Sequence, residues 1–179
     1  MAEAFINQVN RAVGIVTSSS NASIGVGLTW MSGISTAHVA INDLVDNANF
    51  IAGTKVTQVG VSSVQLDRAS TNTVAATASN VSFLGPTTSY TSASATKSIL
   101  IGGTFANNTA NSVNLTVTVY DNSATTESQL AAKIPVPTGS SFVISDAGKT
   151  VLEGDDEVRV YCDTENAIDV NLSILKGVS

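Results

Sequence analysis

The fold class of this chain is decided by one stretch past its middle, Val113-Asn-Leu-Thr-Val-Thr-Val119. Its apolar residues fall at every second position, so they share one face of a pleated strand while the Asn and Thr side chains occupy the other. Two later stretches repeat the alternation, Val158-Arg-Val-Tyr-Cys162 and Ile168-Asp-Val-Asn-Leu-Ser-Ile174. The pattern predicts half-buried strands whose polar partners face solvent.

Further short strands are predicted around these three, with turn residues between them. About seven short strands separated by turns, with almost no helical period, predict an all-β chain with an antiparallel β-sandwich of jelly-roll or Greek-key type. The apolar end of the chain, 172–175, indicates that the last strand is central in its sheet. In this half the additional strands are expected at 96–105, 129–136, 141–144 and 150–152, and the turns at 107–108, 121–122, 137–139, 146–148 and 153–155.

The N-terminal half has a less regular pattern that still favours strand. Its strands would form a small barrel-like or sandwich unit, with one helical turn as an alternative at 43–48. Gly85-Pro86 is the strongest boundary signal, since Gly-Pro stops regular structure and a Ser/Thr run continues to Thr91. The strands are expected at 9–16, 24–30, 37–41, 54–59, 63–66 and 73–83.

Composition excludes several classes of protein. The 179 residues carry a net charge of −6 with no cluster of Lys or Arg, which argues against nucleic-acid binding. Cys162 is the only cysteine, so no internal disulfide forms, and a lone Cys in an apolar strand is typical of a core position. The N-terminus lacks the pattern of a secretory signal, and no apolar run approaches the ~18 residues of a membrane span.

No catalytic residue, cofactor or small-molecule substrate is expected. His38 is the only His, lies in a predicted strand, and has no nucleophile motif around it. One His and one Cys cannot complete a zinc site, and the acidic run Glu153-Gly-Asp-Asp-Glu157 is either a cation site or an ordinary solvated turn. Aromatic residues make up 5% of the chain, which argues against a glycosidase and against a stacking-type sugar-binding module.

Three residues are candidates for an interface. Trp30 is the only Trp, and such residues serve either as plain core or as interface anchors. Phe5 and Ile6 give the chain an apolar start, which needs a partner surface on this chain or on a neighbour.

Several segments resemble structural proteins of tailed bacteriophages, especially those of cyanobacterial hosts. The likeness covers Ser94-Ala-Thr-Lys-Ser-Ile-Leu-Ile-Gly-Gly-Thr-Phe-Ala-Asn107, the ending from Gly148-Lys-Thr-Val-Leu-Glu-Gly-Asp-Asp-Glu157 to Ile168-Asp-Val-Asn-Leu-Ser-Ile-Leu-Lys-Gly177, and the opening Ala4-Phe-Ile-Asn-Gln-Val-Asn-Arg-Ala-Val-Gly14. The segment Phe50-Ile-Ala-Gly-Thr-Lys-Val-Thr57 resembles small β-units of phage tail and fibre proteins.

The resemblance implies a domain organisation and a role. Such proteins pass quickly from the opening strand to the Ala-Thr-Lys-Ser strand, so residues 18–85 are expected to be an inserted small β-domain in a sandwich of 1–17 plus 86–179. A non-enzymatic virion protein is expected, made in the host cytoplasm without a signal peptide. Its partners would be its own copies and the major capsid or tail and neck proteins. Capsid decoration in many symmetric copies is the first expectation. A neck, tail or baseplate position is the alternative, and a host-binding adhesin or fibre module is the second alternative.

Overall fold

The computed structural model describes residues 3–145 and 149–178, which form β-strands and contain no helix. The all-β prediction is therefore confirmed, and within these ranges no helix is long and apolar enough to cross a membrane. The turn predicted at 146–148 lies outside the described residues. The strands are β1 (Ala4–Val13), β2 (Ile15–Ile24), β3 (Trp30–Ser32), β4 (Leu44–Asp46), β5 (Val56–Val59), β6 (Ser63–Leu66), β7 (Ala76–Gly85), β8 (Thr87–Thr91), β9 (Lys97–Asn107), β10 (Val113–Asp121), β11 (Thr126–Val136), β12 (Ser141–Ile144), β13 (Thr150–Leu152), β14 (Glu157–Cys162) and β15 (Ile168–Val178).

The chain divides into two compact units. The first comprises Met1–Gly14 and Thr87–Ser179, and the second comprises Ile15–Pro86. In the first unit one antiparallel sheet has the order β1-β15-β9-β12, with β13 also paired to β9, and the other has the order β11-β10-β14-β8. Apolar residues of both sheets form one buried cluster, so the two sheets pack face to face as a sandwich.

The predicted register of the sandwich core is confirmed. The alternation of residues predicted one inward set of apolar side chains, and all of them are buried in the structure. β10 and β14 are paired so that Val117 lies opposite Val160. The last strand is central, as predicted, because β15 lies between β1 and β9. The buried set is Leu115, Val117, Val119, Val158, Val160, Val170 and Leu172.

Some polar partners of these strands are buried rather than solvent-facing, which corrects the prediction. Thr116, Thr118 and Tyr161 lie on the other face of the sheet and are all buried. Both Thr side chains bond to β11, whose register with β10 is irregular at this point. The Thr118 hydroxyl donates a hydrogen bond to Glu127 of that strand, and the Thr116 hydroxyl accepts one from a β11 backbone N–H at 3.1 Å. Their hydrogen bonds to protein replace those to water, so burial carries no unpaired polar group.

The Ser/Thr run after Gly85-Pro86 is also a strand rather than a continued boundary. Thr87–Thr91 forms β8, which pairs with β14 at the edge of the second sheet of the sandwich. Ser89 is buried there at 1% exposure. Thr has a high strand preference, and pairing with β14 makes this Ser/Thr-rich stretch a strand.

The second unit is one antiparallel sheet of order β4-β7-β2-β3-β6-β5. Its core lies on one face, where side chains from the strands meet residues of the connecting loops. Ile34 and Phe50 are the loop residues buried in this core. The loops at 33–43 and 47–55 therefore cover one face of the sheet. On the other face the pair Leu44 and Leu84 is buried, whereas Trp30 is 43% exposed.

Three local predictions in this unit are wrong. The stretch 24–30 is not one strand: it turns between β2 and β3, with Gly27 at φ +64°. The predicted strand at 37–41 is a series of turns, in which His38 has a φ of 64° and Asn42 a φ of 75°. In place of a helical turn at 43–48 the chain forms β4, because Leu44 and Val45 are buried and pair with β7.

The strand predicted at 9–16 is divided between the two units. β1 ends at Val13 and pairs with β15, whereas β2 begins at Ile15 and pairs with β7. Gly14 separates them with a φ of +130°, and a Cβ at this position would lie 2.1 Å from the backbone oxygen of Thr164. Only glycine tolerates both the conformation and the approach, so the chain changes units at this residue.

Candidate functional site: an uncharged sheet face

The single His and the single Cys occupy unrelated positions. His38 is exposed in a turn of the second unit. Cys162 is fully buried at the end of β14, and burial is the main cause that raises the pKa of its thiol to about 11 from an ordinary 9.0. Because the thiolate is the reactive form, a thiol with this pKa is a poor nucleophile near neutral pH. Cys162 is a core residue, as predicted.

The acidic run 153–157 directs its carboxylates to separate partners. Asp156 is buried and accepts hydrogen bonds from the backbone N–H of Asn122 at 3.0 Å and of Glu153 at 2.9 Å. The Glu153 carboxylate lies 2.9 Å from Lys97 Nζ. Within 3–145 and 149–178 no three His, Cys, Asp or Glu side chains form a group able to hold a metal. Asp156 is therefore a buried turn-closing residue, which corrects the picture of a wholly solvated turn.

The three candidate interface residues differ in their exposure to solvent. Phe5 is 76% exposed at the start of β1, whereas its neighbour Ile6 packs against the sandwich core. Trp30, in the second unit, is 43% exposed, so the plain-core interpretation of this residue is wrong. Alternation along β1 explains the first contrast, because adjacent side chains of a strand point to opposite faces.

Phe5 belongs to a larger surface, the outer face of the sheet that contains β1, β15, β9, β12 and β13. Strand register aligns side chains on this face in three rows, and we name the set the uncharged face. The first row is Phe5, Leu175, Ile99 and Val151; the second is Asn7, Ser173 and Gly102; the third is Val9, Asn171, Thr104 and Val143.

The eleven residues of the uncharged face carry no charge, and four of its apolar side chains are open to solvent. Charged residues begin beyond its rows, since alternation along β15 places Asp169 on the same side as Asn171. Val9, Val143 and Val151 are 58%, 55% and 54% exposed. Two shallow depressions lie on this face, and Ile101 lines both of them. Depletion of charge combined with exposed apolar area is the composition of the centre of a protein–protein interface.

The opposite face of the sandwich has a different chemistry, because charged side chains on it are paired with each other. Arg159 Nε donates to Glu157 Oε2 at 2.7 Å, and its Nη1 lies 3.6 Å from Glu127 Oε2. The guanidinium carbon lies 3.9 Å from the centre of the Tyr120 ring, and the Tyr161 hydroxyl donates to Glu127 Oε1 at 3.1 Å. These charged and hydroxyl groups bond to one another, so fewer polar groups on this face are available to a partner.

Sequence reasoning found Phe5 but missed Val9, Val143 and Val151 as surface residues. A signal was present in adjacent apolar residues such as Phe142-Val-Ile144 and Ile99-Leu-Ile101. Neighbouring residues of a strand face opposite ways, so such runs place apolar side chains on both faces. The sandwich core takes up only the inward set of the sheet that contains β1, β15 and β9, so apolar side chains of the outward set, such as Val9 and Val143, are left exposed.

Comparisons of the chain with protein-family models, with curated proteins and with solved structures found no match.

Proposed function

We propose that this protein is a non-enzymatic structural component of a tailed-bacteriophage virion, present in many symmetric copies and most readily as a capsid decoration protein. The observation that carries the proposal is the uncharged face, since an isolated chain would leave its apolar rows in water. A copy of the same chain or another virion protein would cover them. The resemblance of the opening and the C-terminal half to phage structural proteins supplies the virion setting.

The strand order also supports a virion role. We assign the sandwich to the jelly-roll class, counting β12 and β13 as one strand. The sheet orders β1-β15-β9-β12 and β8-β14-β10-β11 then contain eight strands arranged as two Greek keys. Jelly rolls are a common architecture of viral capsid domains, although a fold by itself does not fix a function.

Self-association of the full chain tests the proposal. We expect oligomers in sedimentation velocity at micromolar concentration, with a contact that buries more than roughly 1,000 Å² in total. The double substitution Phe5→Ser with Val143→Ser should raise the dissociation constant at least ~10-fold, equivalent to about 1.4 kcal/mol, because both side chains are open on the uncharged face.

The matched control is Val61→Ser, which removes an equally apolar side chain that is 97% exposed in the second unit. It should leave the dissociation constant unchanged. A chain that stays monomeric at tens of micromolar, and makes only small contacts in images of the intact particle, would contradict the proposal. The same images would separate capsid decoration from a neck, tail or baseplate position.

A host-binding adhesin or fibre module remains the second candidate function. The exposed Trp30 is the observation that favours it, because an unburied indole on an otherwise polar sheet face is suited to ligand contact.

A further inference from the structure

The exposed face of the sheet in the second unit has a distinct composition. Register aligns Trp30 of β3 with Gln65 of β6, and Gln65 with Gln58 of β5. The adjacent row holds Ser23, Ser32 and Ser63. We name these six residues the Trp30 face; all their side chains point away from the core of the unit.

Trp30 lies at one end of the first row of this face. Its exposure of 43% leaves much of the indole open, and strand pairing places Gln65 and then Gln58 beside it. Beyond the turn, Leu28 lies over the position where Gly25 would carry a Cβ, with its Cδ1 only 2.5 Å from that point. Leu28 is itself 52% exposed, so an aliphatic side chain is open to solvent in the turn that precedes Trp30.

The six residues supply donors and acceptors without charge. Each amide and hydroxyl group both donates and accepts hydrogen bonds, and none changes ionisation near neutral pH. The span from Trp30 to Gln58 covers two strand spacings, about 10 Å. A flat apolar ring beside a short row of amides matches a ligand that has one apolar face and a rim of hydroxyl groups.

We propose that the Trp30 face binds a neutral saccharide chain, with the indole stacked on a sugar ring and Gln65 and Gln58 bonded to the hydroxyls of the next unit. This inference does not depend on the structural role proposed above, and it names a ligand class for the host-binding candidate, which rests on the same exposed Trp30. The low aromatic content of the sequence argued against a stacking-type sugar-binding module. The number of aromatic residues, however, does not say whether any of them lies on the surface. Here the only Trp in the chain is on the surface.

A protein partner fits this face less well. Protein interfaces are depleted in Ser at their centre, whereas three of these six residues are Ser. An acidic glycan or nucleic acid would need a cluster of cationic groups, and none of the six residues is cationic. The charges that border Gln65 are of both signs, because Asp67 accepts a hydrogen bond from the Lys55 backbone N–H and lies 3.9 Å from Arg68. The uncharged face of the first unit, with its apolar rows, has the composition that a protein contact needs.

Because Trp30 is the only Trp of the chain, tryptophan fluorescence reports on this site alone. The full-length chain is applied to an array of neutral and acidic oligosaccharides that includes cellohexaose, maltohexaose, chitohexaose and heparin fragments. The neutral oligosaccharides that bind are then titrated by calorimetry and by tryptophan fluorescence. We expect at least one neutral oligosaccharide to bind and to change the emission of Trp30, with no binding of heparin fragments.

Substitutions then locate the site. Trp30→Ala should weaken binding at least ~10-fold, as expected for loss of a stacking surface, and Trp30→Phe should weaken it less because a ring remains. Gln65→Ala should cost a few-fold. Ile51→Ala is the matched control, since Ile51 is 56% exposed in the loop that covers the other face of the sheet. Circular dichroism and the melting temperature establish that each variant is folded.

Four results would overturn the proposal. They are no binding to any neutral oligosaccharide at millimolar concentration, binding of acidic oligosaccharides alone, binding that Trp30→Ala leaves intact, and loss of self-association on Trp30→Ala. The last would make this face a protein interface.

Discussion

At the scale of single residues, burial decides what Cys162 does. The thiol lies at the end of a central strand with no exposed surface, and its pKa is raised because the thiolate would lose its hydration. The same residue on a surface loop would be a reactive thiol. Position in the sandwich, rather than residue type, makes it inert.

A pH dependence of stability follows from this pKa. Because the pKa is about 11 in the folded chain and near 9.0 when the thiol is exposed, the unfolded chain releases the proton first as pH rises. The stabilising contribution is complete below pH 9 and is lost as the pH rises through 11. We expect the free energy of unfolding, measured with urea, to fall over this range by at most about 2.7 kcal/mol from this group.

Cys162→Ser is the control for this prediction, because its hydroxyl does not titrate in that range while all other groups stay the same. The difference between the two pH profiles isolates the thiol. Rapid reaction of the native thiol with a disulfide reagent at pH 8 would contradict the assignment, since a buried protonated thiol reacts only after local opening.

At the scale of elements, the break between β1 and β2 shows how one glycine sets a boundary. The sequence around it reads as a continuous strand, since Val9, Val13 and Val16 are apolar. The chain nevertheless stops pairing with β15 at Val13 and starts pairing with β7 at Ile15. Thr164 approaches so closely that no side chain fits at Gly14.

Substitution of Gly14 by Ala should therefore be severe. The added Cβ would lie 2.1 Å from the Thr164 oxygen at a φ of +130°, so backbone must shift. We expect a loss of more than about 3 kcal/mol in the free energy of unfolding, because steric overlap adds to backbone strain. Urea or thermal unfolding measures the loss.

Gly27→Ala is the matched control. Gly27 also has a left-handed φ, of +64°, but nothing lies within 4 Å of its added Cβ. Only the conformational cost of about 1–2 kcal/mol should then appear. Equal losses at the two positions would show that the contact with Thr164 does not set the boundary.

At the scale of the whole molecule, the first unit is built from two separated stretches of chain. β1 comes before residues 15–86, yet it pairs along its length with β15 near the C-terminus. The second unit begins and ends at paired residues, since Ile15 lies opposite Gly85. Its two ends are therefore about 5 Å apart, and a short connection can replace it.

We expect the first unit to fold without the second. Replacing residues 15–86 by a four-residue Gly/Ser linker should leave a chain with cooperative unfolding and dispersed amide signals in NMR, because closing a loop at adjacent ends costs little entropy. A chain that lacks residues 1–13 is the control. It loses β1 and the Ile6 contact with the core, so it should be clearly less stable. An unfolded linker variant would contradict this view of the architecture.

Residue order alone determined the fold class and the inward register of the sandwich. Every second residue of 113–119 is apolar, and the period of two puts all of these apolar side chains on one face of the strand. The strands predicted at 141–144 and 150–152, between predicted turns, have the same bounds as β12 and β13. These features are local, because they depend on side chains a few positions apart in the same strand.

Only the tertiary structure decided the rest, because it depends on residues far apart in the chain. Thr116 and Thr118 are buried and bond to β11, and a Cβ at Gly14 would lie 2.1 Å from the backbone oxygen of Thr164. The uncharged face and the Trp30 face each combine residues from three or more strands, whose alignment is set by pairing. The alternation of apolar and polar residues determines to which face of the sheet each side chain points. Strand pairing determines which side chains from different strands lie next to one another, and a binding surface is formed by such neighbours.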